Sequence, residues 1–202
     1  MDLVSAPVHA QTAAFERMVM SNPMIAAIVE RMPLLALPGC YLTAGALFQT
    51  VWNCLSGRDP GAGIRDYDLN YFDDTDLSWD AEDAIIRRAD ALFADLNGTI
   101  EVRNEARVHL WYEAKFGVPC PPYRSTEAAI LSFPSMSACL GIRPGQAGLE
   151  IFAPNGFGDL FALRTRPNPV LAPQTVYEAK VARWRLEWPG LDVFPWPTRT
   201  AA

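Results

Sequence analysis

A mixed α+β fold is what the sequence predicts, and three observations predict it. Stretches in which apolar and polar residues alternate, the mark of strands, are separated by stretches with helical spacing, in the order strand, helix, strand, helix, strand. Half of the 202 residues are apolar, enough to fill one sizeable core. Prolines and glycines crowd the chain after residue 117, which predicts a second half built from turns and short elements. Residues 1–202 are therefore expected to form one domain. Packing helices occupy 1–38, a core with the chemistry 39–117, and an extension 118–202.

The elements follow in order. A helix is expected around Gln11 to Met20. A second starts at the Ser21-Asn22-Pro23 signal and carries Met24, Ile25, Ile28 and Val29 at helical spacing up to Met32. Cys40 to Thr43 reads as a short strand, after which Gly45 opens a helix with Leu47, Phe48, Val51, Trp52 and Leu55. The glycine-rich GRDPGAGI loop delivers the chain into IRDYDLNYF, where Tyr67, Leu69 and Tyr71 share one face and Asp66, Asp68 and Asn70 the other. Ser78 is a good N-cap for a helix with Ile85, Ile86, Ala89, Leu92, Phe93 and Leu96 on its apolar face, stopped by Asn97-Gly98. TIEVRN turns Ile100 and Val102 inward and Thr99, Glu101 and Arg103 outward. ARVHLWYEAKFG then reads as a helix closing at Gly117, and Ser125 caps a short one. SACLGIR and GLEIFAP read as strands around an RPGQAG turn, and GFGDLF as a brief helix. Tyr177, Val181, Trp184 and Trp188 form the stripe of a last helix before PWP.

Composition excludes several functions. A net charge of −6 and an acidic isoelectric point argue against a dedicated nucleic-acid binder and disfavour a long nucleic-acid acceptor. Cys40, Cys54, Cys120 and Cys139 form no CxxC pair and are expected as reduced thiols. With only His9 and His109 present, a metal would be held mainly by oxygen. The N-terminus lacks the basic and apolar regions of a secretory signal, and the apolar stretch around MPLLALPGCYL is broken by Pro33, Pro38 and Gly39. A cytoplasmic protein with no membrane contact is expected.

The acidic strand face carries the chemistry. Side chains two apart on a strand point the same way, so Asp66 and Asp68 can converge on a divalent cation. Mg²⁺ or Mn²⁺ suits them, because hard cations prefer oxygen ligands and share their shell with phosphates. Glu101, on the polar face of another strand of the same sheet, can supply a third carboxylate. Two such ions about 4 Å apart would stabilise both the attacking and the leaving oxygen of phosphoryl transfer. A lone Asp-x-Asp is more often a solvated strand edge. What raises it here is the helix opening at Gly45, the glycine-rich loop and the later carboxylate. Asp73, Asp74 and Asp76 follow the strand and read as turn residues.

Arg58, Arg65, Arg103, Arg107, Arg143, Arg164 and Arg166 are candidate phosphate cations, each with an exposed ion pair as the bland alternative. Arg107 and Asn104 are preferred as nucleotide-binding residues because they closely follow the Glu101 strand. His109 reads equally well as a base, a ligand or a core residue. Trp111, Tyr112, Trp184 and Trp188 read as core rather than as nucleobase platforms.

Gly45-Ala46, Asp66 with Asp68, and Glu101 together resemble the nucleotidyltransferase superfamily that includes DNA polymerase beta. More closely, TAGALFQTVWNCLSG, IRDYDLNYFDD, LSWDAEDAIIRRA, EVRNEARVHLWY and YEAKVARW resemble a bacterial family of nucleotidyltransferase-like proteins, from about residue 20 to the end. The resemblance implies a nucleotidyltransferase core sheet flanked by helices. It also implies metal on Asp66 and Asp68, Glu101 completing the site, and nucleotide phosphates against the backbone at Gly45 and Ala46. Two departures stand out: Ala46 lacks the hydroxyl of the usual serine, and the span from Ala46 to Asp66 is longer than usual. The expected activity is metal-dependent transfer of a nucleoside monophosphate from a nucleoside triphosphate to an unknown acceptor. An inactive nucleotide- or partner-binding protein on the same fold is the alternative, and an Asp-x-Asp glycosyltransferase a more distant one.

Overall fold

The computed structural model describes residues 2–146 and 148–198. Ala147, in the expected RPGQAG turn, lies outside the described residues.

The chain opens with α1 (Val8–Met20) and α2 (Pro23–Arg31). Asn22 starts α2 as expected: its side chain accepts from the Met24 amide at 3.0 Å, and Pro23 supplies a first-turn residue that has no N–H to satisfy. Next come β1 (Tyr41–Thr43), α3 (Gly45–Leu55), β2 (Asp66–Tyr71), α4 (Trp79–Leu92) and β3 (Thr99–Asn104). Ser78 caps α4 by accepting from the Ala81 amide at 3.2 Å.

The expected helix after β3 differs. A 3-10 turn over Glu105–Leu110 is broken at Trp111 before the short α5 (Tyr112–Phe116) ends at left-handed Gly117. Glu105, Ala106, Arg107 and Val108 are all buried in succession, a pattern that one-sided helix packing does not produce. The Asn104 side chain fixes the tight entry by accepting from the Ala106 amide.

The second half holds α6 (Thr126–Ile130), β4 (Gly141–Gly145), β5 (Gly148–Phe152), α7 (Gly158–Phe161), β6 (Arg164–Thr165), α8 (Gln174–Glu187) and β7 (Asp192–Val193). No helix among the described residues is long and apolar enough to cross a membrane.

Five strands form one sheet in the order β3-β2-β1-β4-β5. β2 and β3 run parallel with α4 as their crossover, and the other neighbours are antiparallel. This is the mixed α+β architecture that the sequence predicts. Period two gives the sheet two unlike faces. Leu42, Tyr67, Leu69, Tyr71, Val102 and Ile142 are buried on one face, in a core cluster that also takes side chains from α1 to α4. The opposite face carries Thr43, Asp66, Asp68, Asn70, Glu101 and Arg103.

The last helix joins the same core. Trp184 of α8 meets Phe48 and Trp52 of α3 edge to face, with ring centroids 4.9 and 5.8 Å apart, and Trp188 lies 5.3 Å from Trp52. The Trp188 indole also donates to Asn53 at 3.1 Å. α8 is thereby fixed against the helix that begins at Gly45.

Candidate active site

The polar face of the sheet is the floor of a cleft of about 440 Å³. Asp66, Asp68 and Asn70 reach it because they alternate with the buried Tyr67, Leu69 and Tyr71. The register sets Asp68 directly opposite Glu101 on β3 and opposite Thr43 on β1. Adjacent strands lie about 4.8 Å apart, so the three carboxylates are neighbours on one surface. Gly45, Phe48 and Gln49 of α3 form one wall, and Val176, Lys180, Arg183 and Trp184 of α8 another. Glu105 and the aromatic residues of the turn and helix that follow it line the far end.

Crowded carboxylates shape the electrostatics. Asp68 is pushed up to about 7 by burial first, then by Asp66 and Glu101. Glu105 is pushed up to about 8 by burial, with Asp68 adding to it and Arg103 opposing. Lys180 keeps contact with water, yet its pKa is lowered by the protein mass around its ammonium and by Arg183, while Asp68 and Asp66 act the other way. The cations of α8 and the acids of the sheet therefore face each other across the cleft. Glu101 accepts from Arg103 at 3.3 Å. Among the described residues, the carboxylates of Asp66, Asp68 and Glu105 have no hydrogen-bond donor.

Those oxygens fit a hard divalent cation in chemistry, because undonated carboxylates on one surface are the ligand type that Mg²⁺ and Mn²⁺ take. The fit is not closed in geometry. Among the described residues no three acidic, histidine or cysteine side chains converge on one point.

The residues near Gly45 divide. Ala44 carries the chain from β1 into α3 with φ of 49°, a left-handed value that costs a non-glycine residue energy. Gly45 follows and lines the cleft, and a Cβ there would lie 3.0 Å from the Gln49 amide nitrogen. The backbone N–H groups of Gly45 and Ala46 have no acceptor among the described residues, as expected for the first turn of a helix. The Ala46 side chain is fully buried in the core with Leu47 and Phe48. Its methyl group thus points away from the cleft, which leaves the backbone N–H of Ala46 as its one group for the expected phosphate contact.

Asn104 and Arg107 are not brought into this cleft. Asn104 points to the packed side, where its amide donates to the Asp73 carbonyl at 2.7 Å and its oxygen accepts from the Asp73 and Ala106 amides. Arg107 is buried in an ion pair with Glu82, donates to the Leu77 carbonyl at 2.9 Å and lies over Trp79. It lines a second groove beside β3 that shares Glu101 and Arg103 with the first. The expectation that both bind the nucleotide is thereby corrected: each spends its polar atoms on structure.

Among the other arginines, Arg58 pairs with Glu187, Arg143 with Glu150, Arg164 with Asp159 and Asp192, and Arg166 with Asp159. Asp73 and Asp76 belong to the turn as expected, accepting from the Thr75 and Ser78 amides, which holds both below the ordinary carboxylate range. Sequence reasoning missed Glu105, Lys180 and Arg183. Its reading of Tyr112 as core holds, since Tyr112 is buried with Val108 and Cys120 and Trp111 packs against that cluster, and both rings also line the cleft.

Comparison with known proteins bears on family and fold. A family model described as nucleotidyltransferase matches residues 30–193. None of the curated proteins matches the sequence. A solved structure whose title reads "The NMR structure of the protein reveals a CCA-adding enzyme head domain" superposes with a TM-score of 0.75 at 21% identity. The match covers 90% of this chain and 95% of that one, a likeness of fold.

Proposed function

We propose, since this chain belongs to the nucleotidyltransferase family, that it transfers a nucleoside monophosphate from a nucleoside triphosphate to a hydroxyl acceptor with Mg²⁺ or Mn²⁺ on Asp66, Asp68 and Glu101. One observation carries the reading. Asp68 lies in register with Glu101, two residues from Asp66, on the floor of a cleft whose opposite wall presents Lys180 and Arg183. Acids of the kind that hold cations thus share one cleft with cations of the kind that hold phosphates.

When bound, the metal would draw charge from the α-phosphate and the leaving pyrophosphate. The residues of the chain supply the rest. Lys180, Arg183 and the Gly45 amide hold the terminal phosphates, the amide because a helix N-terminus favours anions and glycine lets them approach. The acceptor oxygen bonds to the α-phosphorus as the bond to the β-phosphate oxygen breaks, and pyrophosphate leaves with that electron pair. The hydroxyl proton passes to the Glu101 carboxylate. Phe48 and Trp184 give the cleft an apolar border beside the acids. Four free thiols agree with a reducing, cytoplasmic setting.

Calorimetric titration with nucleoside triphosphates, with and without Mg²⁺, tests the reading. Binding promoted by metal in the wild type and lost in the Asp66→Asn, Asp68→Asn double variant supports it; binding indifferent to both sinks it. A second reading, nucleotide binding without transfer, is favoured by the failure of three carboxylates to converge. Pyrophosphate release in the presence of candidate acceptors separates the two.

A further inference from the structure

Glu105 has no role in the reaction so far, and its placement is unusual. It is 5% exposed, lines the cleft, and receives no hydrogen bond among the described residues. Its charged neighbours are Asp68 and Arg103, and Cys120 and Tyr123 lie within its field. A carboxylate this deeply set without a protein donor is costly, and what its oxygens can meet is whatever enters the cleft they border. The walls around it are apolar and aromatic: Trp111, Tyr112, Phe116, Tyr123 and Phe133 all line this end. Lys115 already places its ammonium 5.4 Å from the Trp111 ring centre and 5.3 Å from that of Phe116, which leaves Tyr112, Tyr123 and Phe133 as the rings free to meet a ligand's cation beside Glu105.

The strands give the cleft a direction. Thr43, just before Gly45, lies opposite Asp68, and β2 and β3 then run in parallel away from that end. Along the floor the order is Gly45 with Asp66, then Asp68 with Glu101, then Asn70 with Arg103, and finally Glu105. Phosphoryl transfer sets the attacking and leaving oxygens roughly in line through phosphorus. With pyrophosphate at Gly45, the attacking hydroxyl arrives from the Glu105 end.

We propose that the aromatic end of the cleft is the acceptor subsite, and that the acceptor is a small hydroxyl compound bearing a protonated amine that pairs with Glu105. This rests on the transfer reading for the identity of the site as an acceptor site. The amine supplies the charge and donors that Glu105 lacks, the rings favour a cation over a neutral group, and the hydroxyl is left toward Glu101.

The test uses 2-amino-1-phenylethanol and its neutral counterpart 1-phenyl-1,2-ethanediol, titrated into the full chain at a pH of about 8.5, where a carboxyl pushed up to about 8 is mostly ionised and the amine is still mostly protonated, without metal or nucleotide and followed by NMR. The amine is expected to bind about tenfold more tightly than the diol, the worth of one charge-assisted hydrogen bond. It should shift the Trp111 indole resonance. Glu105→Gln should erase the preference and Glu105→Asp should restore part of it, with amide dispersion reporting that each variant is folded. Equal binding of the two probes, no binding of the amine, or a preference that survives Glu105→Gln overturns the proposal. A parallel titration with Mg²⁺ and nucleoside triphosphate keeps the two ideas apart. Its failure beside an intact amine preference rejects transfer and supports the amine site.

Discussion

The two faces of the central sheet share every strand and almost nothing else. On one, Tyr67, Leu69 and Tyr71 are closed into the core; on the other, Asp66, Asp68 and Asn70 alternate with them and border a cleft. The packed face gains free energy from burial, whereas the open face spends some of it by holding like charges together at reduced hydration. The two demands, burial of apolar groups and display of acids, thus fall on opposite sides of a single strand.

The largest effect that separates the faces is expected from Asp66→Asn with Asp68→Asn. Turnover measured by pyrophosphate release should fall about a thousandfold or more, as when a principal electrostatic contact of a transition state is removed. Thermal melting should meanwhile hold or rise, since repulsion is relieved. A double variant that unfolds would contradict the division. On the packed face, Leu69→Ala should cost about 2 to 5 kcal/mol in urea unfolding, as expected for a fully buried leucine. Arg107→Ala tests a residue whose neighbourhood suggested function. Leaving Glu82 buried without its partner should cost about 3 to 5 kcal/mol, while metal-promoted nucleotide binding changes little; weakened binding in a fully stable variant would return Arg107 to the site.

Proton linkage comes next in size. Asp68 titrates near 7 and Glu105 near 8 in the folded chain, both above their ordinary carboxylate values. A raised carboxylate keeps its proton longer when folded, so its contribution is full below the unfolded pKa and disappears as pH rises through the folded one. Without metal, the melting temperature should therefore decline from about pH 4 to about pH 8, and Asp68→Asn should flatten that slope. Mg²⁺ affinity should rise over the same range, because metal displaces the proton. The smallest effect is expected from Gly45→Ala. Its added Cβ meets the end of the flexible Gln49 side chain, so stability should shift by about 0.5 kcal/mol or less, whereas KM for the nucleotide should increase several-fold. An unchanged KM would remove Gly45 from the phosphate contacts.

Much of the fold and part of the candidate site were legible in the sequence, for a physical reason. Period two assigns faces within a strand, so Asp66, Asp68 and Glu101 were placed on one side, and the register confirms that they are neighbours. The same logic stops where the strand stops. Glu105 lies one residue beyond β3, in a 3-10 turn where neither strand nor α-helical spacing applies. Asn104 and Arg107 misled because closeness in sequence to Glu101 was taken for closeness in space, whereas each turns toward α4 or the loop before it. Lys180 and Arg183 carried no local signal, since only tertiary packing brings α8 to the acids of β2.

That packing runs through Trp184, which borders the cleft on one side and meets Phe48 and Trp52 edge to face on the other. Indole emission responds to the polarity and charge around the ring. If a triphosphate enters beside Lys180 as proposed, the charge near Trp184 would change and its emission with it, which would let ligand entry be timed without attaching a label.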